Sequence, residues 1–315
     1  MSPIHKRAES APAIPVRALG SPDLEFKATL IVTTALYLIA LCSSALLGVR
    51  APILNAVPPC LGLIAFPHWY TRFAFPNATR VANLVQASFI IVGLGVSLAC
   101  LSYIGAAADL PLRDREIVWI DSKLGFDWLQ VMGELDRWPR VLDLLDGAYA
   151  TFTSQLIATV LILIIARRPR DLDRFFLTFA CASVIAEVAS VLVPTVGPMH
   201  ALAAHIHYVN IPTPGRTTAD IVLGLRQGTL KVIDFSALDG IISFPSMHAA
   251  VAVIVPFALR WNKLLFFPVL LLDGLMLISA VPSGNHYLSD VLAGISVAAF
   301  AIPCGRRIHE WHYAP

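Results

Sequence analysis

The chain has 315 residues, of which 57% are hydrophobic and 14% charged, and its net charge is +2. Soluble domains run nearer a quarter charged, so this composition excludes an ordinary soluble domain, and so small a net charge excludes a nucleic-acid binder. The apolar residues fall in long blocks without strand-like alternation, which predicts an all-α, polytopic membrane bundle.

In chain order, residues 1–25 carry Pro3, Pro12, Pro15 and Pro22 among scattered charges. They lack a short apolar core ahead of a cleavage site, so they read as a disordered tail rather than a signal peptide. A membrane span needs about 20 mostly apolar residues. The segments 26–48, 51–69, 81–104, 148–166, 175–193, 246–260, 264–281 and 287–303 meet that need, giving about eight spans. The span at 51–69 is the weakest because it holds Pro58 and Pro59. The chain then divides into the tail, two additional N-terminal spans within 26–80, a six-span core over 81–305, and a short tail at 306–315.

With eight spans, most of the lysines and arginines fall on one side, including the short patch "ARRPRDLDR" at 166–174. By the positive-inside rule that side is cytoplasmic, and both termini lie there. The loop 105–147 is on the other side. It interleaves Ile117, Val118, Ile120, Phe126, Trp128, Leu129 and Met132 with acids, the pattern of short amphipathic helices lying on a membrane surface or packed as a lid. The five cysteines, Cys42, Cys60, Cys100, Cys181 and Cys304, lie in or beside apolar runs without paired spacing and read as small hydrophobes.

Two helix starts carry chemistry. "SFPSMH" at 243–248 opens one span and "SGNHYLSD" at 283–290 opens another, separated by a single outward-returning span. That hairpin brings His248 and His286 to one membrane face, the non-cytoplasmic one. Pro245 suits a helix start, Ser243 can cap it, and Ser283 or Asn285 can cap the other after a turn at Gly284. Free N–H groups at both starts predict an anion site suited to phosphate. Asp290 lies four residues after His286 on the same helical face, where its carboxylate can accept the Nδ1–H and leave Nε2 nucleophilic. His248 can then protonate a departing oxygen and deprotonate an incoming hydroxyl.

At these residues the chain resembles the type 2 phosphatidic acid phosphatase superfamily, which includes the vanadium haloperoxidases. Pro245, Ser246 and His248 match the family's second motif, and His286 and Asp290 its third. "PTVGP" at 194–198 and "GNHYLSDVLAG" at 284–294 are similar to the branch containing inositol phosphorylceramide synthases. The resemblance implies a membrane-embedded, metal-independent site for lipid phosphates, with His286 as nucleophile, Asp290 as its partner, His248 as acid/base and Ser246 on the phosphate. The first motif, a lysine followed by Arg-Pro, has no counterpart, because "RRP" at 167–169 lies on the cytoplasmic side. Arg216 and Arg226, with Asn285, are then expected to meet the phosphate, and Lys231 is a weaker candidate. No cofactor is expected. His200, His205 and His207 lack the carboxylate or cysteine partners of a metal site, and His200 is placed beside the pocket.

Glu187 and Asp273 fall within spans, where ionisable groups are costly and often functional. They permit a second reading, a non-enzymatic lipid or solute transporter built on these two acids. The first reading is an integral-membrane lipid phosphatase or phospho-headgroup transferase whose acceptor is water or an inositol or lipid hydroxyl. Its partners are the lipid phosphate and the surrounding membrane lipids.

Overall fold

The structure, a computed structural model, describes residues 26–52, 54, 79–203, 206–211, 214–233 and 240–312. These form helices α1 (Lys27–Leu47), α2 (Thr79–Ala106), α3 (Asp114–Lys123), α4 (Trp128–Leu135), α5 (Pro139–Tyr149), α6 (Phe152–Ile165), α7 (Pro169–Leu192), α8 (Pro198–Ala201), α9 (Pro214–Arg226), α10 (Met247–Leu259), α11 (Lys263–Ser279) and α12 (Leu288–His312). The β-pairing among them is one isolated parallel bridge between Arg50 and Val232. The protein is all-α, as expected.

Four described helices are long and apolar enough to cross a membrane: α1, α2 over Leu84–Ala106, α7 and α12. α5 and α6 pass the same test together but meet at a 45° bend, so the count reaches five if they form one span. α10 is apolar but shorter, at 13 residues. The expected span at 51–69 lies almost wholly outside the described residues, as does the N-terminal tail. α12 runs on to His312, past the boundary expected at 305, and buries His309 in its last turn.

The α5–α6 bend has a local cause. The N–H and the hydroxyl of Thr151 both turn back to the carbonyl of Ala148, which ends the regular ladder of α5. Prolines at the first helical position open α5, α7 and α8, where a missing N–H costs nothing.

α7 occupies the middle of the bundle and packs on α1, α2, α6, α10 and α12. In lipid, side-chain burial between helices gains little from leaving water, so close fit has to supply the cohesion. Small residues permit it. A Cβ on Gly294 of α12 would lie 2.1 Å from the carbonyl oxygen of Ser246, and one on Gly305 would lie 2.6 Å from the Thr178 nitrogen of α7. At one end of the bundle Asp173 of α7 accepts a hydrogen bond from the Thr29 hydroxyl of α1 (2.6 Å) and faces His309 Nδ1 of α12 (2.6 Å).

The segment expected to be amphipathic forms α3, α4 and α5, each with one face against the bundle. α3 buries Asp114, Ile117 and Asp121 and exposes Trp119. α4, capped by the Asp127 carboxylate, buries Trp128 and Met132 in a cluster with Ala280 and Val281. The Asp136 carboxylate accepts from the N–H groups of Val209, Asn210 and Ile211, at 3.0, 2.7 and 3.1 Å. Desolvation works against that charge, but the three donors hold the carboxyl below the usual aspartate range.

Candidate active site

α10 and α12 start at the same end of the bundle, and their first residues face one another. Ser246 is the N-cap of α10, its Oγ accepting from Ala249 N–H at 3.3 Å. Its own N–H donates to the Asp290 carbonyl (3.0 Å), which locks the two helix starts together. Sequence reasoning gave the capping role to Ser243. In the structure Ser243 spans the gap instead, its hydroxyl 2.5 Å from the Asn285 carbonyl and 3.1 Å from Asp290 Oδ2.

His248 and His286 come together as expected, with ring centroids 5.9 Å apart. His248 stacks on Tyr149 at 3.8 Å, with the planes 11° apart, and Phe152 covers it at 4.5 Å. These aromatic residues flank the α5–α6 bend, so the bend wraps two rings around one imidazole. His286 is 2% exposed and precedes α12.

The expected Nδ1 partner is corrected. Nδ1 of His286 lies 2.8 Å from the Ser243 carbonyl oxygen and 3.8 Å from Asp290 Oδ2. A carbonyl can only accept, so Nδ1 carries the hydrogen and Nε2 keeps its lone pair. Asp290 instead accepts from Tyr287 N–H at 2.8 Å and faces the Ser243 hydroxyl, so it shapes the loop that presents His286.

The expected anion site at the α12 start is also corrected. Leu288 and Ser289 N–H donate to the Asp121 carboxylate of α3, at 3.0 and 2.8 Å, and the Ser289 hydroxyl bonds it too. Carboxylates from α3 and from Asp290 therefore occupy the donors that were expected to hold phosphate. The neighbouring Asp114 accepts from Val196 and Gly197 N–H in the "PTVGP" loop and from the Tyr287 hydroxyl at 2.9 Å. Burial raises its carboxyl above the usual range, against the pull of those donors. No spacing rule pointed to Asp114 or Asp121, because their partners are distant in sequence.

Gly197 and Gly284 fit this junction at positive φ, +88° and +79°. A Cβ on Gly197 would meet the Asn285 carbonyl at 2.9 Å, and one on Gly284 would meet Met199 Cβ at 2.9 Å. The "PTVGP" loop thus closes directly on the turn before His286.

A cavity of about 610 Å³ opens from the two imidazoles between α2, α6 and α7. Its polarity is graded along each wall. α7 contributes Glu187 and Ser183 near the histidines and Phe179, Phe176 and Phe175 further in. α6 follows the same order from Thr153 to Leu156 and Val160, and α2 from Ser102 to Leu98 and Ile91. At the helical rise the wall from Glu187 to Phe175 is ~18 Å long along α7, of which the apolar part from Phe179 to Phe175 is ~6 Å. Asn285 lines the polar end.

Among the described residues no lysine or arginine lines the cavity. Arg226 is held elsewhere, paired with Asp109 at 3.0 Å and bonded to the Leu110 carbonyl. The Arg216 side chain lies outside the described residues, and His200 does not line the cavity. Among the described residues no group of three His, Cys, Asp or Glu side chains could hold a metal ion. Glu187 faces this cavity, whereas Asp273 is buried on α11 and is not among the cavity's lining residues.

No curated protein and no solved structure matches the chain. A family model described as PAP2 superfamily matches residues 115–304, a stretch that begins inside α3, ends within α12 and takes in both imidazoles and the helix that braces them. With more than half its length inside that model, the chain belongs to the PAP2 superfamily, a general class of hydrolases and transferases of phosphoric esters.

Proposed function

We propose that this protein is an integral-membrane lipid phosphatase or phospho-headgroup transferase that works through a phosphohistidine on His286. One observation carries the reading: an imidazole with Nδ1 tied to the Ser243 carbonyl, so that Nε2 is free, faces His248 across 5.9 Å at the polar end of an apolar cavity. That spacing lets both imidazoles reach a single phosphoryl group, and the graded walls suit an amphiphile with its head at the histidines and its chain along Phe179, Phe176 and Phe175.

Nε2 of His286 attacks phosphorus while His248 gives a proton to the departing oxygen, so the P–O bond breaks and a P–N bond forms. His248 then takes the proton of the incoming hydroxyl, whose oxygen displaces His286 from phosphorus. The acceptor is water in a phosphatase and an inositol or lipid hydroxyl in a transferase. The "PTVGP" loop beside Asn285 favours an inositolphosphotransferase-like branch, with sphingolipid acceptors within its reach. Eight spans, cytoplasmic termini and a site on the non-cytoplasmic face complete the reading, supported by the distribution of basic residues.

The test is incubation of the purified protein with a panel of labelled lipid phosphates, with and without inositol. Acid-labile label on the protein that disappears in His286→Ala supports the reading, and the products separate hydrolysis from transfer. Turnover that persists undiminished in His286→Ala overturns it.

A further inference from the structure

Phosphate offers mainly hydrogen-bond acceptors, yet the polar end of this cavity presents acceptors of its own. Glu187 is half-buried on α7, and its Oε2 atom is fully buried without a hydrogen-bond partner. Ser183, one turn earlier on the same helical face, lines the same wall. Across the cavity the Asn285 amide bonds the Tyr149 hydroxyl with one end (3.2 Å), and its other end, Oδ1, is buried and unbonded. A buried polar atom left without a partner costs roughly 1–3 kcal/mol, so a ligand that satisfies it gains a specific contact. Among the described residues neither Glu187 Oε2 nor Asn285 Oδ1 has a hydrogen-bond partner, and Asn285 is already anchored through Tyr149 and its backbone.

We propose that Glu187 forms a subsite beside the phosphate position that accepts a hydrogen bond from a hydroxyl or ammonium group on the substrate's head, and so selects lipid phosphates that carry such a donor close to phosphorus. The proposal rests on the phosphohistidine reading above and deepens it. Glu187 is a specificity residue in this scheme. It takes no proton and bonds no phosphorus; it holds the headgroup so that the phosphorus stays in line with His286. The absence of lysine and arginine from the described walls points the same way, because a substrate bearing its own ammonium or hydroxyl brings the donors that the walls lack.

The test uses three lipids of one chain length: hexadecyl phosphate, β-hydroxyhexadecyl phosphate and β-aminohexadecyl phosphate. The wild-type protein in lipid nanodiscs is expected to turn over at least one of the latter two with kcat/KM about tenfold above hexadecyl phosphate, the scale of one well-placed hydrogen bond. Glu187→Leu should erase that preference. Because it replaces an unbonded buried carboxyl with an apolar group, the variant should fold with unchanged or higher Tm. Glu187→Gln, whose amide oxygen still accepts from a hydroxyl, should keep the preference for the β-hydroxy lipid, and its loss there would count against the acceptor role.

A second readout does not need turnover. Hexadecane-1,2-diol and hexadecane are compared for ligand-induced Tm shift, and the diol's excess shift should vanish in Glu187→Leu. Equal kcat/KM for all three lipids, or a preference that survives Glu187→Leu, overturns the subsite and leaves water as the occupant. Absence of turnover of every lipid, together with a diol shift that depends on Glu187, overturns the catalytic reading and retains the subsite. Absence of both overturns both.

Discussion

The carbonyl oxygen of Ser243 lies 2.8 Å from Nδ1 of His286, a full ångström closer than the nearest oxygen of Asp290. The tautomer of His286, the proposed nucleophile, is therefore fixed by backbone from the loop before α10, and the carboxylate four residues downstream works one step removed. That arrangement makes a difference to mutants.

Ser243→Ala keeps the carbonyl and should lower kcat less than tenfold. Asp290→Asn keeps an oxygen that can accept from Tyr287 N–H, and it should cost about 10- to 100-fold, well short of the ~10⁴ typical of a carboxylate that orients a catalytic histidine directly. His286→Ala should leave no turnover. Steady-state kinetics on all three variants with one lipid phosphate checks the order, and a loss in Asp290→Asn as complete as in His286→Ala would place the carboxylate back in direct control.

Gly294→Ala should be among the most damaging substitutions that remove no functional group. Its new methyl would sit 2.1 Å from the Ser246 carbonyl, so α10 and α12 must separate. Overpacking of this kind costs roughly 1–3 kcal/mol, and a shift of about 1 Å between reacting groups can cost 100-fold in rate. Loss of activity larger than the loss of thermal stability implies is the expected signature. Wild-type kinetics with a lowered Tm would contradict it.

Asp121→Ala removes the acceptor for Leu288 N–H, Ser289 N–H and the Ser289 hydroxyl. The loss should be about 1–3 kcal/mol of stability. Hydrogen exchange should quicken first at residues 287–290, because α12 frays from that end. Asp121→Asn, which keeps one oxygen, should recover part of the protection.

Asp136 gives a pH dependence of definite sign. Its carboxyl titrates below the usual aspartate value in the folded protein, so its hold on Val209–Ile211 is complete above the unfolded-state pKa, near 3.9, and is lost as pH falls through the lowered folded value. Limited proteolysis of the 206–211 segment should be slow at neutral pH and quicken only below about pH 4. Asp136→Ala should be cut quickly at every pH, and equal rates in the two proteins at neutral pH would show that the carboxylate does not anchor the segment.

Chelation should leave activity intact, because among the described residues no ligand cluster exists for a metal to occupy, and vanadate should inhibit competitively by taking the proposed phosphate position beside the imidazoles. Assays with and without EDTA, and a vanadate titration at several substrate levels, check both.

The meeting of His248 and His286 was legible in the sequence because it follows from local rules: a Pro-Ser helix start, a Gly turn, and one hairpin between them. The all-α character followed from the length of the apolar blocks. What stayed hidden depends on contacts that no spacing encodes. Asp121 meets Ser289 from 168 positions away, and Ser243 acts through a carbonyl that every residue possesses. Arg226 looked like a phosphate ligand because charge in a loop is visible in a sequence, but its pairing with Asp109 is not. The pairing of Asp173 with His309 was missed for the same reason, since α7 and α12 must first pack before the two can be seen as neighbours.

α3 carries Asp121 on its inner face and Trp119, 61% exposed, on its outer one. In the proposed membrane orientation an indole so placed is expected at the headgroup level of a bilayer, where its position responds to lateral pressure and lipid curvature. Any tilt of that ten-residue lever is delivered through Asp121 to the first turn of α12 and hence to the residue two places before it. In that orientation, solubilisation in micelles is expected to perturb the proposed nucleophile, and rates measured in detergent and in bilayers need not describe the same alignment.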